Sequence, residues 1–193
     1  ISAAAPLLLA ASTHGPEEQW LLAAFKEVWK SSGDALPRLM VAPRHPERFD
    51  EVAGLIKATG FSWVRRSEAA SSRDREAEVI LLDSIGELRS VYPLSQVVFV
   101  GGSLIKHGGQ SIFEPAAAGK AIVTGPYTSN FDAAVKEFLK KEALIQLPPM
   151  ADKNVVPALV KIFRDLITDD YRRRALSRNA LNAMKNNRGA VDQ

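Results

Sequence analysis

The sequence predicts an α/β domain: a parallel sheet with helices on both faces. Short apolar runs alternate with amphipathic stretches of helical length along all 193 residues, the pattern of strands joined by helical crossovers. Runs such as Val97–Val100 are apolar at every position, as burial on both sheet faces requires. Clusters of glycine, hydroxyl and basic residues follow the runs, at the carboxyl ends of strands where such sheets bind ligands.

Pro6–Ala11 reads as the first strand, and Gly15-Pro16-Glu17-Glu18 opens a helix with proline at its first position and acids in its first turn. Trp20, Leu21, Phe25, Val28 and Trp29 recur at helical spacing along Glu17–Lys30, and Ser32-Gly33-Asp34 breaks it. Arg38–Ala42 is a strand, Pro46–Thr59 a helix closed by Gly60, and Phe61–Arg65 a strand. Ser67–Glu78 is polar with mixed charge and reads as an exposed loop. Val79–Leu82 is a strand, Ile85–Tyr92 a short helix, Val97–Val100 a strand, Ser111–Gly119 a helix and Ala121–Thr124 a strand. Asn130–Lys141 is a helix, Leu144–Leu147 the last strand, and Asp152–Ile167 and Asp169–Lys185 are closing helices.

The length allows one domain or two small ones, and 46% hydrophobic with 24% charged residues is ordinary globular composition. No cysteine is present, which removes disulfides and thiolate metal ligands. His14, His45 and His107 are far apart in sequence and form no paired zinc motif. A net charge of +3 favours acidic ligands or an anionic membrane surface. No apolar run approaches the roughly 20 residues of a membrane span. The chain opens at Ile1, almost directly on a core strand, and reads as a piece of a longer protein.

The most informative stretch is Gly101-Gly102-Ser103-Leu104-Ile105-Lys106-His107-Gly108-Gly109-Gln110-Ser111-Ile112-Phe113-Glu114-Pro115. Glycines there let backbone N–H groups approach an anion, and the following helix start adds unpaired donors and a positive dipole end. The spacing is that of neither a Walker loop nor a G-x-G-x-x-G fingerprint. Lys106 and His107 either reach a phosphate or are exposed loop residues. Glu114 either closes a capping box with Ser111 or accepts two ribose hydroxyls; Pro115 argues against the box, because proline deep in the first turn removes a donor.

Other clusters carry the same choice between capping and contact. Ser12 and Thr13 suit a phosphate or sugar oxygen, or a helix cap. Arg44 and His45 sit in the loop after the second strand, where a guanidinium is a good phosphate clamp, while Arg48 belongs to an ion pair with Glu47 or Glu51. Asp83–Leu88 either presents backbone amides, around Gly86 and Glu87, to a pyrimidine edge or caps a helix through Ser84 and Glu87. In Gly125–Phe131, Ser129 or Asn130 caps a helix or the loop meets a sugar. The basic run Tyr171–Arg178 is a solvated face or a contact for anionic lipid. It lacks interleaved aromatics, which speaks against nucleic acid.

Together these motifs resemble 3-deoxy-D-manno-oct-2-ulosonic acid (Kdo) transferases. Ala-Ser-Thr-His (11–14), Pro-Arg-His-Pro-Glu-Arg (43–48), Gly-Glu-Leu (86–88), Phe-Val-Gly-Gly-Ser-Leu (99–104), Gly-Gly-x-x-x-x-Glu-Pro-Ala (108–116) and Gly-Pro-x-x-x-Asn-Phe (125–131) stand in the family's order over most of Ala10–Phe131. The resemblance implies a GT-B glycosyltransferase with two Rossmann-like domains, of which this chain is the C-terminal, donor-binding one. Residues 1–168 would bind the nucleotide sugar, and the basic helix 169–193 is expected to pack toward the N-terminal domain.

The family moves Kdo from CMP-Kdo to a lipid A precursor in lipopolysaccharide synthesis, with inversion, at the cytoplasmic face of the bacterial inner membrane. No cofactor is implied, and the general base is a glutamate of the N-terminal domain, so no catalytic residue is expected here. The donor contacts the resemblance and the motifs select are Ser12, Thr13, Arg44, His45, Gly86, Glu87, Gly102, Ser103, Lys106, Gly108, Gly109, Ser111, Glu114 and Asn130. Arg44, the Gly108-Gly109 amides and the helix start at Ser111 would stabilise the leaving phosphate, and Glu114 would orient the ribose. Gln110 and Ser111 stand where many relatives carry His and Asn, and Tyr127 where His is common. The rival readings are a UDP-sugar transferase or epimerase of the same fold, and a non-catalytic nucleotide- or membrane-binding module.

Overall fold

The strands are β1 (Leu7–Thr13), β2 (Arg38–Pro43), β3 (Trp63–Arg65), β4 (Val79–Leu81), β5 (Val97–Val100), β6 (Ala121–Thr124) and β7 (Ile145–Gln146). All pair in parallel in the order β3-β4-β2-β1-β5-β6-β7. The helices are α1 (Glu17–Lys30), α2 (Phe49–Ala58), α3 (Leu88–Val91), α4 (Phe113–Ala117), α5 (Asp132–Lys140), α6 (Asp152–Thr168) and α7 (Asp170–Gly189). The structure, a computed structural model, describes residues 5–33 and 36–189; Asp34 of the expected helix break and residues 190–193 of the expected basic tail lie outside these.

The two-residue period of the strands builds two cores. Leu8, Ala10, Val41, Leu81 and Phe99 face one layer with Leu21, Phe25, Ile56 and Leu159 of α1, α2 and α6. Leu9, Ala11, Met40, Val98 and Ile122 face the other, with Tyr92, Ala116 and Phe138 from the stretch after α3, from α4 and from α5. The expected α/β architecture with helices on both faces is the one observed. In α7, Ala180 and Ala183 are buried in that second layer, against α4 and β6. Three of its arginines form ion pairs: Arg173 and Arg174 with Asp170, and Arg172 with Asp165 at 3.6 Å.

Several helix starts differ from expectation; α2, expected from Pro46, and α5, expected from Asn130, begin at Phe49 and Asp132, each after a 3-10 turn. Pro16 precedes α1 instead of opening it. The helix expected from Ile85 begins at Leu88, because Gly86 adopts φ +85°, a left-handed turn that cannot continue as helix. The helix expected from Ser111 begins at Phe113, which puts Pro115 in the first turn, where its missing N–H is harmless.

Candidate functional site

Strand order reverses at β1, which lies between β2 and β5, so the crevice of this sheet opens beyond the carboxyl ends of β1 and β5. There the two strands come unusually close. Ser12 bulges out of β1 with φ +54°, and a Cβ on Gly101 would lie 2.4 Å from the Ser12 carbonyl oxygen. A side chain at 101 is incompatible with the bulge.

The glycine-loop amides do meet an anion, and it is the chain's own. The Glu17 carboxylate, fully buried at the start of α1, accepts N–H bonds from Gly102 (2.7 Å), Ser103 (3.0 Å), Leu104 (2.9 Å) and His14 (3.0 Å). Burial pushes this carboxyl above its ordinary range, and the four amides pull against that shift. Gly102 and Ser103, selected from the sequence as donor contacts, therefore have these amides engaged internally. Gly109 likewise gives its N–H to the Gly102 carbonyl at 2.8 Å, while Gly108 donates to nothing among the described residues. Sequence reasoning missed Glu17, because an acid in a first helical turn is explained locally by the helix dipole.

Ser103 is fully buried and its hydroxyl is a brace, donating to the Val100 carbonyl at 2.5 Å and accepting the Gly125 N–H at 2.8 Å. Asn130, in a 3-10 turn before α5, donates from Nδ2 to the carbonyls of His107 and Gly109, each at 3.3 Å. It holds the 107–109 loop and caps no helix through its side chain. Lys106 is exposed beside a polar hollow formed with Tyr127, Thr128, Ser129 and Gln146.

Arg44 and Arg48 separate cleanly. Arg48 is spent on buried Glu18 (2.7 Å) and on Glu51 (2.8 Å), and hydrogen bonding to Glu51 and then Glu18 holds its pKa up. Arg44 is exposed and has no acid partner among the described residues, although its backbone N–H is tied to the Thr13 carbonyl at 2.9 Å. It borders a cavity of about 180 Å³ with Ser12, Pro43, Ser84, Ile85 and Gly86. The expected Ser84–Glu87 capping box is absent: the Ser84 hydroxyl is buried without a partner, and Glu87 pairs with Arg66 at 2.9 Å. Thr13 has left the expected loop for β1 and is fully buried, its hydroxyl also unpartnered.

Glu114 is exposed on α4, at the rim of a second groove with Arg89, Tyr92 and Phe113. Ser111 accepts the Phe113 N–H at 3.3 Å, so the expected Ser111–Glu114 box is replaced by a shorter turn. At five residues, α4 offers less dipole than the longer helix expected there. The three histidines, scattered in sequence, converge. His14 lies 4.2 Å from His107 and 5.3 Å from His45, ring centre to ring centre. Among the described residues no group of three or more His, Cys, Asp or Glu side chains is arranged to hold a metal ion.

A parallel sheet with its crevice at the strand-order switch, an unpaired arginine at the mouth and a glycine loop locked beneath it defines a class: one Rossmann-like half of a GT-B glycosyltransferase. WaaG, a glycosyltransferase involved in lipopolysaccharide biosynthesis, shares the fold at 15% identity and a TM-score of 0.58, over 96% of this chain and 44% of that one. No protein-family model matches the sequence. The C-terminal CMP-Kdo binding domain of WaaA from Acinetobacter baumannii is 34% identical, with a TM-score of 0.84 over 94% of this chain and 90% of that domain. The 3-deoxy-D-manno-octulosonic acid transferase of Haemophilus influenzae is 34% identical over 97% of this chain. The chain belongs to the 3-deoxy-D-manno-octulosonic acid transferase family. It spans 42% of the length of the Haemophilus relative.

Proposed function

We propose that this chain is the donor-binding domain of an inverting glycosyltransferase that moves Kdo from CMP-Kdo to a lipid A precursor. The observation that carries this reading is the likeness, over nearly the whole chain, to a domain described as CMP-Kdo binding. The crevice fits it. Arg44, free of acids, would clamp a phosphate bidentately, and the cavity lined by Ser84, Ile85 and Gly86 would receive a pyrimidine edge. Glu114 is exposed and available to ribose hydroxyls. His45, against His14, and Lys106, beside the polar hollow, are both exposed.

In the displacement, the acceptor hydroxyl attacks the anomeric carbon as the C–O bond to CMP breaks, and these residues hold the charge that gathers on the leaving phosphate. We assign no catalytic base among them. Gly102 and Ser103 serve this site through the loop they fix, and Asn130 through the loop it braces. Ser12 and Gly86 line the cavity beside Arg44, and Gly108 lines the hollow beside Lys106; Glu87, Gly109 and Ser111 belong to the same loops, and Thr13, fully buried, offers the ligand no surface. The lipid acceptor implies work at the cytoplasmic face of the inner membrane. No helix among the described residues is long and apolar enough to cross a membrane; the membrane contact proposed for this chain is a peripheral one. Exposed Tyr171 and the α7 arginines are the candidates for it.

The test is a titration of CMP and of UMP into the chain, followed by backbone amide shifts. Shifts at Ser84–Leu88 and Gly108–Glu114 that are stronger for CMP are expected. An equal response to UMP would replace the reading with a UDP-sugar enzyme.

A further inference from the structure

His14 is 8% exposed, and neither ring nitrogen has a hydrogen-bond partner. A neutral imidazole always carries one donor and one acceptor, and buried polar groups are almost always paired. The missing partner calls for an explanation. The ring is enclosed by two more imidazoles, His107 at 4.2 Å and His45 at 5.3 Å, both on exposed residues. These come from the ends of β5, β2 and β1, the three strands that meet at the mouth of the crevice.

The carboxylates of α1 beside His14 are already committed, while the two cations next in sequence to the outer histidines, Arg44 and Lys106, are exposed. From α1, Glu17 is held by four backbone amides and Glu18 by Arg48. From the loop before α2, Arg48 is divided between Glu18 and Glu51. His45 has only a loose approach to Glu47, at 3.7 Å. No carboxylate bonds the His14 ring, and burial, then His107 and His45, hold its pKa below the ordinary histidine value against the opposing pull of the nearby Glu18 charge and the Ser12 backbone. The cluster is therefore three imidazoles in mutual contact, the buried one without a hydrogen-bond partner, and with no anion bound to its ring.

We propose that His14, His45 and His107 form an oxyanion subsite, for the phosphate or the carboxylate of an acidic sugar nucleotide, which takes up a proton from solvent when it is filled. The identity of that ligand rests on the donor-domain reading above. His45 and His107 form the open walls. His14 is the floor, and its nitrogens become reachable when the His107 ring turns aside. An anion in contact with the cluster supplies the missing acceptor and favours the imidazolium form.

The experiment follows the ring Cε1–H signals of the three histidines in this chain between about pH 5 and 8, alone and with CMP, free Kdo, CMP-Kdo or inorganic phosphate. A titration midpoint that rises by about one unit or more with ligand is expected. CMP alone producing the rise assigns the phosphate, and free Kdo alone the carboxylate. Calorimetry of CMP-Kdo binding in buffers of different ionisation heat should show proton uptake that is lost in His14→Gln. His107→Ala, at an exposed position, should reduce the uptake even if the His14 variant does not fold. Amide shifts at Ser84–Leu88 with unmoved histidine midpoints would overturn the subsite and leave the donor reading standing. Midpoints that move with phosphate, with no nucleotide response, would keep the subsite and remove the donor reading. Silence to every ligand removes both.

Discussion

Glu17 and Gly102 are 85 positions apart in sequence and 2.7 Å apart in the fold, carboxylate oxygen to amide nitrogen. The same oxygen takes the His14 N–H, so one side chain ties the β1 loop to the β5 loop across the strand-order switch. The pocket wall is thus set by an internal anion before any ligand arrives. Glu17→Ala strands four buried N–H groups, and with each unsatisfied donor costing about 1–3 kcal/mol, a loss of about 3 kcal/mol or more is expected. Urea unfolding measures it. A change of less than about 0.5 kcal/mol, the range of an ordinary surface substitution, would mean the carboxylate does not hold the loop.

Arg44 and Arg48 predict opposite phenotypes. Arg44 has no acid partner among the described residues, so Arg44→Ala should leave the unfolding midpoint in place. CMP affinity should fall roughly ten- to a hundredfold, the worth of a charge-assisted bond. Arg48→Ala exposes nothing to ligand but leaves fully buried Glu18 unpaired, which costs about 3 kcal/mol. Parallel unfolding and CMP titrations of the two variants decide it. Normal CMP binding by the Arg44 variant would remove Arg44 from the site.

The layers of this fold were legible in the sequence because strand burial repeats every second residue and helix burial every third or fourth, both visible locally. The same holds for Arg44, placed after a strand by pattern alone. What stayed hidden were contacts between distant loops. Nothing near Glu17 shows that its partners are Gly102–Leu104, and an acid at a helix start already has a sufficient local reason. Spacing in sequence likewise hid the convergence of His14, His45 and His107, which only the strand order creates. Ser84–Glu87 and Ser111–Glu114 misled in the opposite way. Both have the spacing of a capping box, but the turn at Gly86 and the start of α4 at Phe113 override it.

Gly125 marks a second point of close approach. A Cβ there would lie 2.2 Å from the Ser103 carbonyl oxygen, backbone against backbone, while the Ser103 hydroxyl receives the Gly125 N–H. Relief would require the β5 and β6 loops to part, because no flexible side chain can yield. Gly125→Ala should therefore destabilise the chain by about 3 kcal/mol or more, among the larger effects of single substitutions. Gly54→Ala, where a Cβ meets nothing within 4 Å, is the control and should be neutral or slightly stabilising in its helix. Comparable unfolding midpoints for the two variants would refute the close-approach argument.

The ligand-free protein should lose stability on the acid side through His14. Burial, His107 and His45 lower its folded pKa below the ordinary 6.5, so the unfolded chain binds this proton more readily than the folded one. The resulting stability is complete above about pH 6.5 and declines as pH falls from there through the lowered value. Buried Glu17 works with the opposite sign: its raised folded pKa contributes stability at low pH that fades as pH rises above 4.5. A single pH profile would therefore mix the two. Comparing the protein with His14→Phe isolates the histidine, since phenylalanine keeps an aromatic ring in the space and removes two unpartnered nitrogens. At neutral pH the variant should be as stable as the parent or more so. Its urea midpoint should also fall less steeply between about pH 7 and 5. Superimposable profiles would show that His14 titrates alike in the folded and unfolded chains, and that its burial carries no charge penalty.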